Sequence, residues 1–451
     1  MKHPQKLFNA LRFAGLLSVI VLGLVSIIGT GGGGGSSHNN NNQLNTYYLD
    51  SDGDGYGDPD VTTESASRPQ GYVTDDTDCD DADAAVHPGA TEVCGDARDN
   101  DCNGQIDEGC STGGPWVPDT GQTTCYDLSG NAYNRCPYEG DEFYGQDACY
   151  DINEPSYTKL DAGGNVLSSR ATSWSMVRDN VTGLIWETKT NDGGIHDKDN
   201  AYTWHDAEDV FIAQLNADGF GGYTDWRLPT LEELRSIVNY GDFIPSVDSY
   251  YFPLIMADMS SRHWTASPAA FDTNFAWRLY FYNGVDDATN KGDQWSAIAV
   301  RGRQSGAWDN LASNSNGTVT DDNTGLVWLQ RTADVNNDGM IDDRDQLNWQ
   351  EALAWCESLV YAGHDDWRLP TIKELATIVD LSRQNPAIDT GYFPDTVASG
   401  YWTSTSASQL PGCAWKIDFA YGNSTYFGES GDLFEYSKSS EFYVRPVRGG
   451  E

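Results

Sequence analysis

Apolar positions recur along this chain with helical spacing, and the spacing occurs twice. After Thr230 they fall at Leu231, Leu234, Ile237 and Val238, and after Thr371 at Ile372, Leu375, Ile378 and Val379. Steps of three and four put each set on one face of a helix. Glu233 and Glu374 stand three residues after the threonines, which completes a Thr-x-x-Glu capping box in both copies. The same hexapeptide leads into each helix: Asp225-Trp226-Arg227-Leu228-Pro229-Thr230 and Asp366-Trp367-Arg368-Leu369-Pro370-Thr371. A longer amphipathic helix is predicted upstream of each, with Trp204, Ala207, Phe211 and Leu215 matching Trp349, Ala352, Cys356 and Leu359 or Val360. Asp179-x-x-Thr182-Gly183-Leu184-Ile185-Trp186 and Asp321-x-x-Thr324-Gly325-Leu326-Val327-Trp328 read as a turn and a buried strand. Further strand pairs are Trp264–Ser267 with Trp402–Thr405, and Ala276-Trp277 with Ala414-Trp415. Phe281 and Phe419 follow four residues on. Val300-Arg301-Gly302 and Val447-Arg448-Gly449 close the two repeats.

One apolar run fits neither repeat. Ala14 to Ile28 follows Lys2, His3, Lys6 and Arg12, the pattern of a signal peptide or an uncleaved N-terminal anchor. No Cys ends the run, so lipoprotein processing is not indicated. The rest of the chain is expected outside the cytoplasm, secreted or in the cell envelope, where disulfides persist. The order is then a leader or anchor (1–30), a Gly/Ser/Asn linker (31–46), a small module (47–111) and two repeats (115–304 and 305–451).

Charge changes the picture of the small module. The chain has 27 basic and 68 acidic residues, a formal charge of −41. Such a surface disfavours nucleic acid and anionic lipid and attracts cations. Residues 50–110 alone carry 18 acidic and two basic side chains. Asp50, Asp52 and Asp54 occupy positions 1, 3 and 5 of an EF-hand-type loop, with Gly55 at 6. Asp99, Asp101, Asn103, Gly104 and Asp107 repeat the pattern, and Asp76, Asp78 and Asp80 show the alternation without the Gly. The second repeat adds Asp334, Asn336, Asp338, Met340, Asp342 and Asp345 at positions 1, 3, 5, 7, 9 and 12, with Gly339 at 6. The first repeat has only a shorter, weaker counterpart, Asn191 to Asp199. Hard oxygen donors at this density predict Ca²⁺ before copper, which prefers Met, His and Cys.

Nine cysteines accompany the acidic residues. Cys79, Cys94, Cys102 and Cys110 lie in the small module with their pairing open, and they lack the close Cys pairs of zinc modules. Cys125 and Cys136 are expected to pair, which leaves Cys149 over. In the aligned repeats Cys356 replaces Phe211 and Cys413 replaces Phe275. The joint change predicts a Cys356–Cys413 disulfide, with Phe211 packed on Phe275 in the first repeat.

The small module resembles the metal-binding motif of the MopE-like family. The resemblance rests on Asp50–Gly57, Asp78-Cys79-Asp80-Asp81, His87-Pro88-Gly89-Ala90 and Asp99–Gly104 with Ile106-Asp107-Glu108. It keeps copper open as the ion. The repeats resemble the DUF1566 family, also called the Lcl C-terminal domain, through Thr-Gly-Leu-x-Trp, Asp-Trp-Arg-Leu-Pro-Thr-x-x-Glu-Leu, Tyr401-Trp402-Thr403-Ser404 and Val444-Arg445-Pro446-Val447-Arg448-Gly449-Gly450. That resemblance implies an α+β fold of two tandem C-type-lectin-like, formylglycine-generating-enzyme-like repeats and a bacterial surface role. Its named member is an adhesin for sulfated glycosaminoglycans, for which −41 is the wrong sign unless a basic patch or bridging Ca²⁺ intervenes.

The hexapeptides themselves are expected to be framework. Arg227 and Arg368 would hold a carboxylate or carbonyls, and Trp226 and Trp367 would lie in the core. Tyr421, Tyr426 and Phe427 are either strand residues or a stacking surface for a sugar ring. With seven scattered His and no His-Glu-x-x-His or Gly-x-Ser-x-Gly, no enzyme is expected. The reading is a calcium-stabilised surface binding protein, adhesin-like, whose extracellular ligand includes carbohydrate among its candidates. The alternatives are a copper-binding envelope protein, a formylglycine-generating-type oxidase, or a purely architectural surface protein.

Overall fold

The structure, a computed structural model, describes residues 44–81, 84, 86–90, 102, 117–150, 152–255, 262–302, 311–425 and 437–449. The chain divides into two units, Met1–Ala84 and Ala85–Glu451. The N-terminal apolar run, the acidic pattern of Asp99, Asp101, Asn103 and Asp107, and the aromatic residues Tyr426 and Phe427 lie outside the described residues.

The first unit is built on a sheet of order β2-β1-β3, from β1 (Asn45–Leu49), β2 (Asp58–Ser65) and β3 (Tyr72–Val73). Its apolar content is small: Tyr47 and Val73 are buried. Gly57 seats the strands, since a Cβ there would come within 2.8 Å of both Tyr48 and Val73.

The second unit holds both repeats, and the duplication seen in the sequence is a duplication of topology. Repeat 1 contributes β4 (Tyr157–Leu160), β5 (Met176–Asp179), β6 (Ile185–Glu187), β7 (Arg262–Pro268), β8 (Phe275–Tyr280), β9 (Val285–Asn290) and β10 (Val300–Arg301). Repeat 2 contributes β11 (Leu311–Ser313), β12 (Thr318–Asp321), β13 (Val327–Leu329), β14 (Gly400–Ser406), β15 (Ala414–Asp418), β16 (Asn423–Thr425) and β17 (Val447–Arg448). Each repeat makes a four-stranded sheet, β10-β6-β5-β4 and β17-β13-β12-β11, and a three-stranded one, β7-β8-β9 and β14-β15-β16. The closing Val-Arg strand returns to the opening one in both, pairing Val300 with Trp186 and Val447 with Trp328. The architecture is thus mostly small sheets with few, short helices.

Trp204–Asp206, a π-helical stretch Ala207–Ile212 and Ala213–Asp218 run on as α1; its counterpart α3 is Trp349–Glu357. The helices after the hexapeptides, α2 (Leu231–Ser236) and α4 (Ile372–Ala376), both start at the predicted capping box. Their apolar faces do not form two separate cores. Leu231, Leu234 and Trp186 of repeat 1 share one buried cluster with Ile372, Leu375 and Trp328 of repeat 2. Two smaller clusters lie under α1 and α3.

The expected Cys356–Cys413 bridge is not formed, because Cys356 is a buried free thiol. The reason is the two-residue period of a strand. Ala276 and Ala414 face the helix-side clusters that contain Phe211 and Cys356. Their neighbours Phe275 and Cys413 face the shared core instead. Phe211 accordingly stacks on Tyr202 with ring centroids 5.4 Å apart, while Phe275 meets Phe271. The alignment of the repeats holds, but the aligned partners point to opposite faces.

Candidate metal centre

The acidic loop after β1 is shaped by its own side chains. Asp50 Oδ1 accepts from the Gly53 amide at 2.8 Å, Asp52 Oδ1 from Asp54 at 3.2 Å, and Asp54 Oδ1 from Tyr56 at 2.8 Å. Gly53 and Gly55 take φ of 87° and 103°, which L side chains rarely adopt. The segment after β3 returns beside this loop, with the Asp78 amide reaching the Gly57 carbonyl at 3.4 Å. Asp78 Oδ1 accepts from Asp80, and Asp81 Oδ1 from Ser51, both at 2.9 Å.

In Asp52, Asp54 and Asp78 one carboxylate oxygen is therefore used to fix the loop, and the other is left. The Oδ2 atoms of Asp52, Asp54 and Asp78 are buried without a hydrogen-bond partner. Carboxylate oxygens of these three residues lie within 4.8 Å of one another, and a second triplet, Asp50, Asp52 and Asp81, meets the same limit. Asp52 belongs to both. At about 4 Å two carboxylates repel by about 1 kcal/mol in water and about 4 kcal/mol near a protein surface. A divalent cation reverses that sign. Burial, and then the charges of Asp54, Asp52 and Asp81, raise the Asp78 carboxyl above its ordinary range; burial does the same at Asp52, reinforced by Asp54, Asp81 and Asp50. Five carboxylates with no sulfur or imidazole among them make a hard-oxygen donor set, which suits Ca²⁺.

Asp50, Asp52, Asp54 and Asp78 are thus brought together, as the spacing predicts. Asp76 instead hydrogen-bonds Tyr48, and Asp80 is not in either triplet. Asp81 is the ligand candidate that spacing missed. The alternation Asp76, Asp78, Asp80 points to even positions, while the turn at Cys79 brings Asp81 round to the Ser51 amide. Cys79 and Cys102 are both disulfide-bonded.

The loop of repeat 2 keeps the predicted turn but not the convergence. Gly339 has φ 81° and Asn337 φ 58°. Asp334 accepts from the Asp338 and Gly339 amides at 3.1 and 2.9 Å, and Asp345 from Val335 at 2.9 Å. Arg344 then spans Asp338 and Asp342, at 2.7 Å to each. Among the described residues no triplet of carboxylates from this loop converges. Met340 is exposed at 58%. The sequence pattern counts oxygen atoms at fixed positions and overlooks Arg344, a cation the loop already carries.

The hexapeptides are framework in both copies. Arg227 holds Glu233 through two bonds of 2.7 Å, and Arg368 holds Glu374 at 2.7 and 2.6 Å. The same glutamates close the capping boxes, so one carboxylate serves the arginine and the helix start. Asp225 pairs with Arg301, and Asp366 with Arg448, which ties each hexapeptide to its closing strand. Trp226 and Trp367 are buried. The unpartnered Oδ2 atoms of Asp52, Asp54 and Asp78 stand in contrast to these fully used carboxylates.

Among the described residues no helix is long and apolar enough to cross a membrane. The family model of the Lcl C-terminal domain matches residues 175–301 and 317–448, together more than half of the chain. The MopE copper-binding family model, described as "Putative metal-binding motif", matches residues 78–108. That match starts at Asp78 and so leaves out Asp50, Asp52 and Asp54. No curated protein matches the chain.

Proposed function

Because the chain belongs to the Lcl C-terminal domain family, with two copies of the domain in tandem, we propose that it is an extracytoplasmic surface protein whose N-terminal module binds calcium. The observation that carries this reading is the convergence of three carboxylates, those of Asp52, Asp54 and Asp78, each of which also has a buried Oδ2 without a hydrogen-bond partner. Asp52, Asp54 and Asp78 would hold one ion, with Asp50 and Asp81 beside it. Calcium is preferred to copper because the donors are all carboxylate. Disulfides at Cys79, Cys102 and Cys125–Cys136 support a location outside the cytoplasm.

The two repeats are read as a binding body and not as an enzyme. Their duplicated Arg, Glu and Asp are consumed in holding the fold, and the fold is related, by this proposal, to C-type-lectin-like domains. The ligand would be an extracellular molecule, carbohydrate among the classes to test. Net charge argues against a sulfated polymer unless Ca²⁺ bridges.

Calorimetric titration of the whole chain with Ca²⁺, and with Cu²⁺ as a separate arm, tests the metal reading. Saturable Ca²⁺ binding abolished by Asp54→Asn with Asp78→Asn supports it. Binding of Cu²⁺ alone, or of neither ion, defeats it. A glycan array probed with and without Ca²⁺ tests the binding body.

A further inference from the structure

The left-over cysteine sits against a formed disulfide. Cys125 and Cys136 are bonded, and Cys149 Sγ lies 3.6 Å from Cys125 Sγ. All three sulfurs lie within 4.8 Å of one another. Cys125 is 1% exposed, while Cys136 and Cys149 are part-exposed. Cys149 ends the short turn Asp147–Cys149, and its amide bonds the Gln146 carbonyl at 2.8 Å. The same turn is fastened at both ends. Gln146 accepts from the Tyr126 amide at 2.8 Å, next to Cys125, and Asp147 accepts from Thr120 and Thr405.

We propose that Cys125 exchanges partners, so that the Cys125–Cys136 disulfide interconverts with a Cys125–Cys149 disulfide. The Cys149 thiolate attacks Cys125 Sγ, the Cys125–Cys149 bond forms, and the Cys125–Cys136 bond breaks. Cys136 leaves as a thiolate and takes up the proton that Cys149 gave to solvent. One disulfide and one thiol stand on each side, so no oxidant or reductant is required. In-line attack puts the entering sulfur opposite the leaving one. Here the three sulfurs lie within 4.8 Å of one another, so the exchange requires the Cys149 sulfur to shift toward the line of the Cys125–Cys136 bond.

The two pairings differ in what they fasten. The Cys125–Cys136 form closes the loop that contains Tyr133. The Cys125–Cys149 form ties Cys125 directly to the turn that carries Asp147, and so to Thr405 in repeat 2. It also leaves Cys136 as the accessible thiol. Burial pushes the Cys149 thiol up, and Glu357 and Asp147 act in the same direction. Tyr144 also faces it. Exchange is therefore expected to quicken at alkaline pH, where more thiolate is present.

The test is disulfide mapping of the whole chain by mass spectrometry after alkylation at alkaline pH. In the native protein the label is expected on both Cys149 and Cys136. In Cys149→Ser it is expected to disappear from Cys136 by at least tenfold. In Cys136→Ser, air oxidation is expected to give a Cys125–Cys149 disulfide. Label confined to Cys149 in the native protein overturns the proposal, and this measurement does not depend on any variant folding. A folded Cys136→Ser protein that keeps both thiols after oxidation overturns it as well.

Discussion

At the scale of single residues, the chain pays attention to where charge is buried. Asp147 is 1% exposed, and burial lifts its carboxyl to about 7, with Asp119 and Glu374 adding to the shift and Thr405 and Thr120 opposing it. Lys373 lies near, its amine lowered to about 8 by burial and bonded to the carbonyls of Asp119 and Ser236. Asp147 binds a proton in the folded protein at pH values where the unfolded chain has lost it. Its contribution is therefore present at acidic pH and is lost as pH rises through about 7. Asp147→Asn, close in shape to the neutral acid, should remove this dependence. Denaturant melts should show the variant costing most near the unfolded carboxyl's range, about pH 4, and least near pH 8; a cost that grows with pH contradicts the assignment. The duplicated arginines allow a second comparison. The Arg368 side chain is 4% exposed and that of Arg227 21%, with near-identical bonds to glutamate. Arg368→Ala strands a buried Glu374 and should cost about 3–5 kcal/mol. Arg227→Ala should cost less, because the Arg227 side chain is part-exposed and water can take its place beside the buried Glu233. Equal losses in the two melts would show that solvent access does not set the difference.

At the scale of elements, the acidic loop and the hexapeptide helices show what spacing along a sequence can carry. In the loop, the folded module without calcium holds Asp52 and Asp78 above the ordinary carboxylate range. It binds more protons than the unfolded chain there, so its stability should rise on mild acidification. If the module binds calcium as proposed, the slope should reverse, because protonation would remove ligands and release the ion. Melting curves with calcium and with chelator should diverge toward neutral pH, by about 2.7 kcal/mol at an ion concentration near 100 times Kd. Parallel curves would count against a site at Asp52, Asp54 and Asp78. The local part of this design was legible: Asp at alternate positions with Gly gives the turn, and Thr-x-x-Glu gives the helix starts of α2 and α4. Asp81 was not legible, since it arrives through β1–β3 pairing and no short spacing records that pairing. The Cys356 expectation failed for a related reason. Equivalent positions in two repeats specify register, while the side to which each residue points is set by the strand period. The loop from Asp334 to Asp345 adds that a ligand pattern is informative only together with the cations beside it, here Arg344.

At the scale of the whole molecule, the two repeats cannot be treated as two beads. Trp415 of repeat 2 packs edge-on against Tyr240 of repeat 1, with ring centroids 4.9 Å apart. Arg235 of α2 pairs with Asp286 of β9 at 2.9 Å and reaches the Gly422 carbonyl at 3.0 Å, while Asp286 accepts from the Ser424 amide at 3.0 Å. Gln122 bonds the Tyr240 carbonyl on one side and accepts from the Ser406 amide on the other. These contacts are buried, and those that reach Trp415, Gly422, Ser424 and Ser406 each join residues more than a hundred positions apart. Cutting the chain between the repeats would expose the shared apolar cluster of Leu231, Leu234, Ile372 and Leu375 and orphan these polar groups. Residues 117–449 should therefore unfold as one cooperative unit. The N-terminal module, whose apolar core is small, should melt separately and only there respond to chelator. Arg235→Ala sharpens the point. The Asp286 side chain is fully buried, so loss of its partner should cost about 3–5 kcal/mol. If the core is shared, calorimetry of Arg235→Ala will show one lowered transition for both repeats and an unchanged one for the module. A split into two repeat transitions, with only the first lowered, would mean that each repeat holds its own core and that the seam between them is a contact of folded bodies.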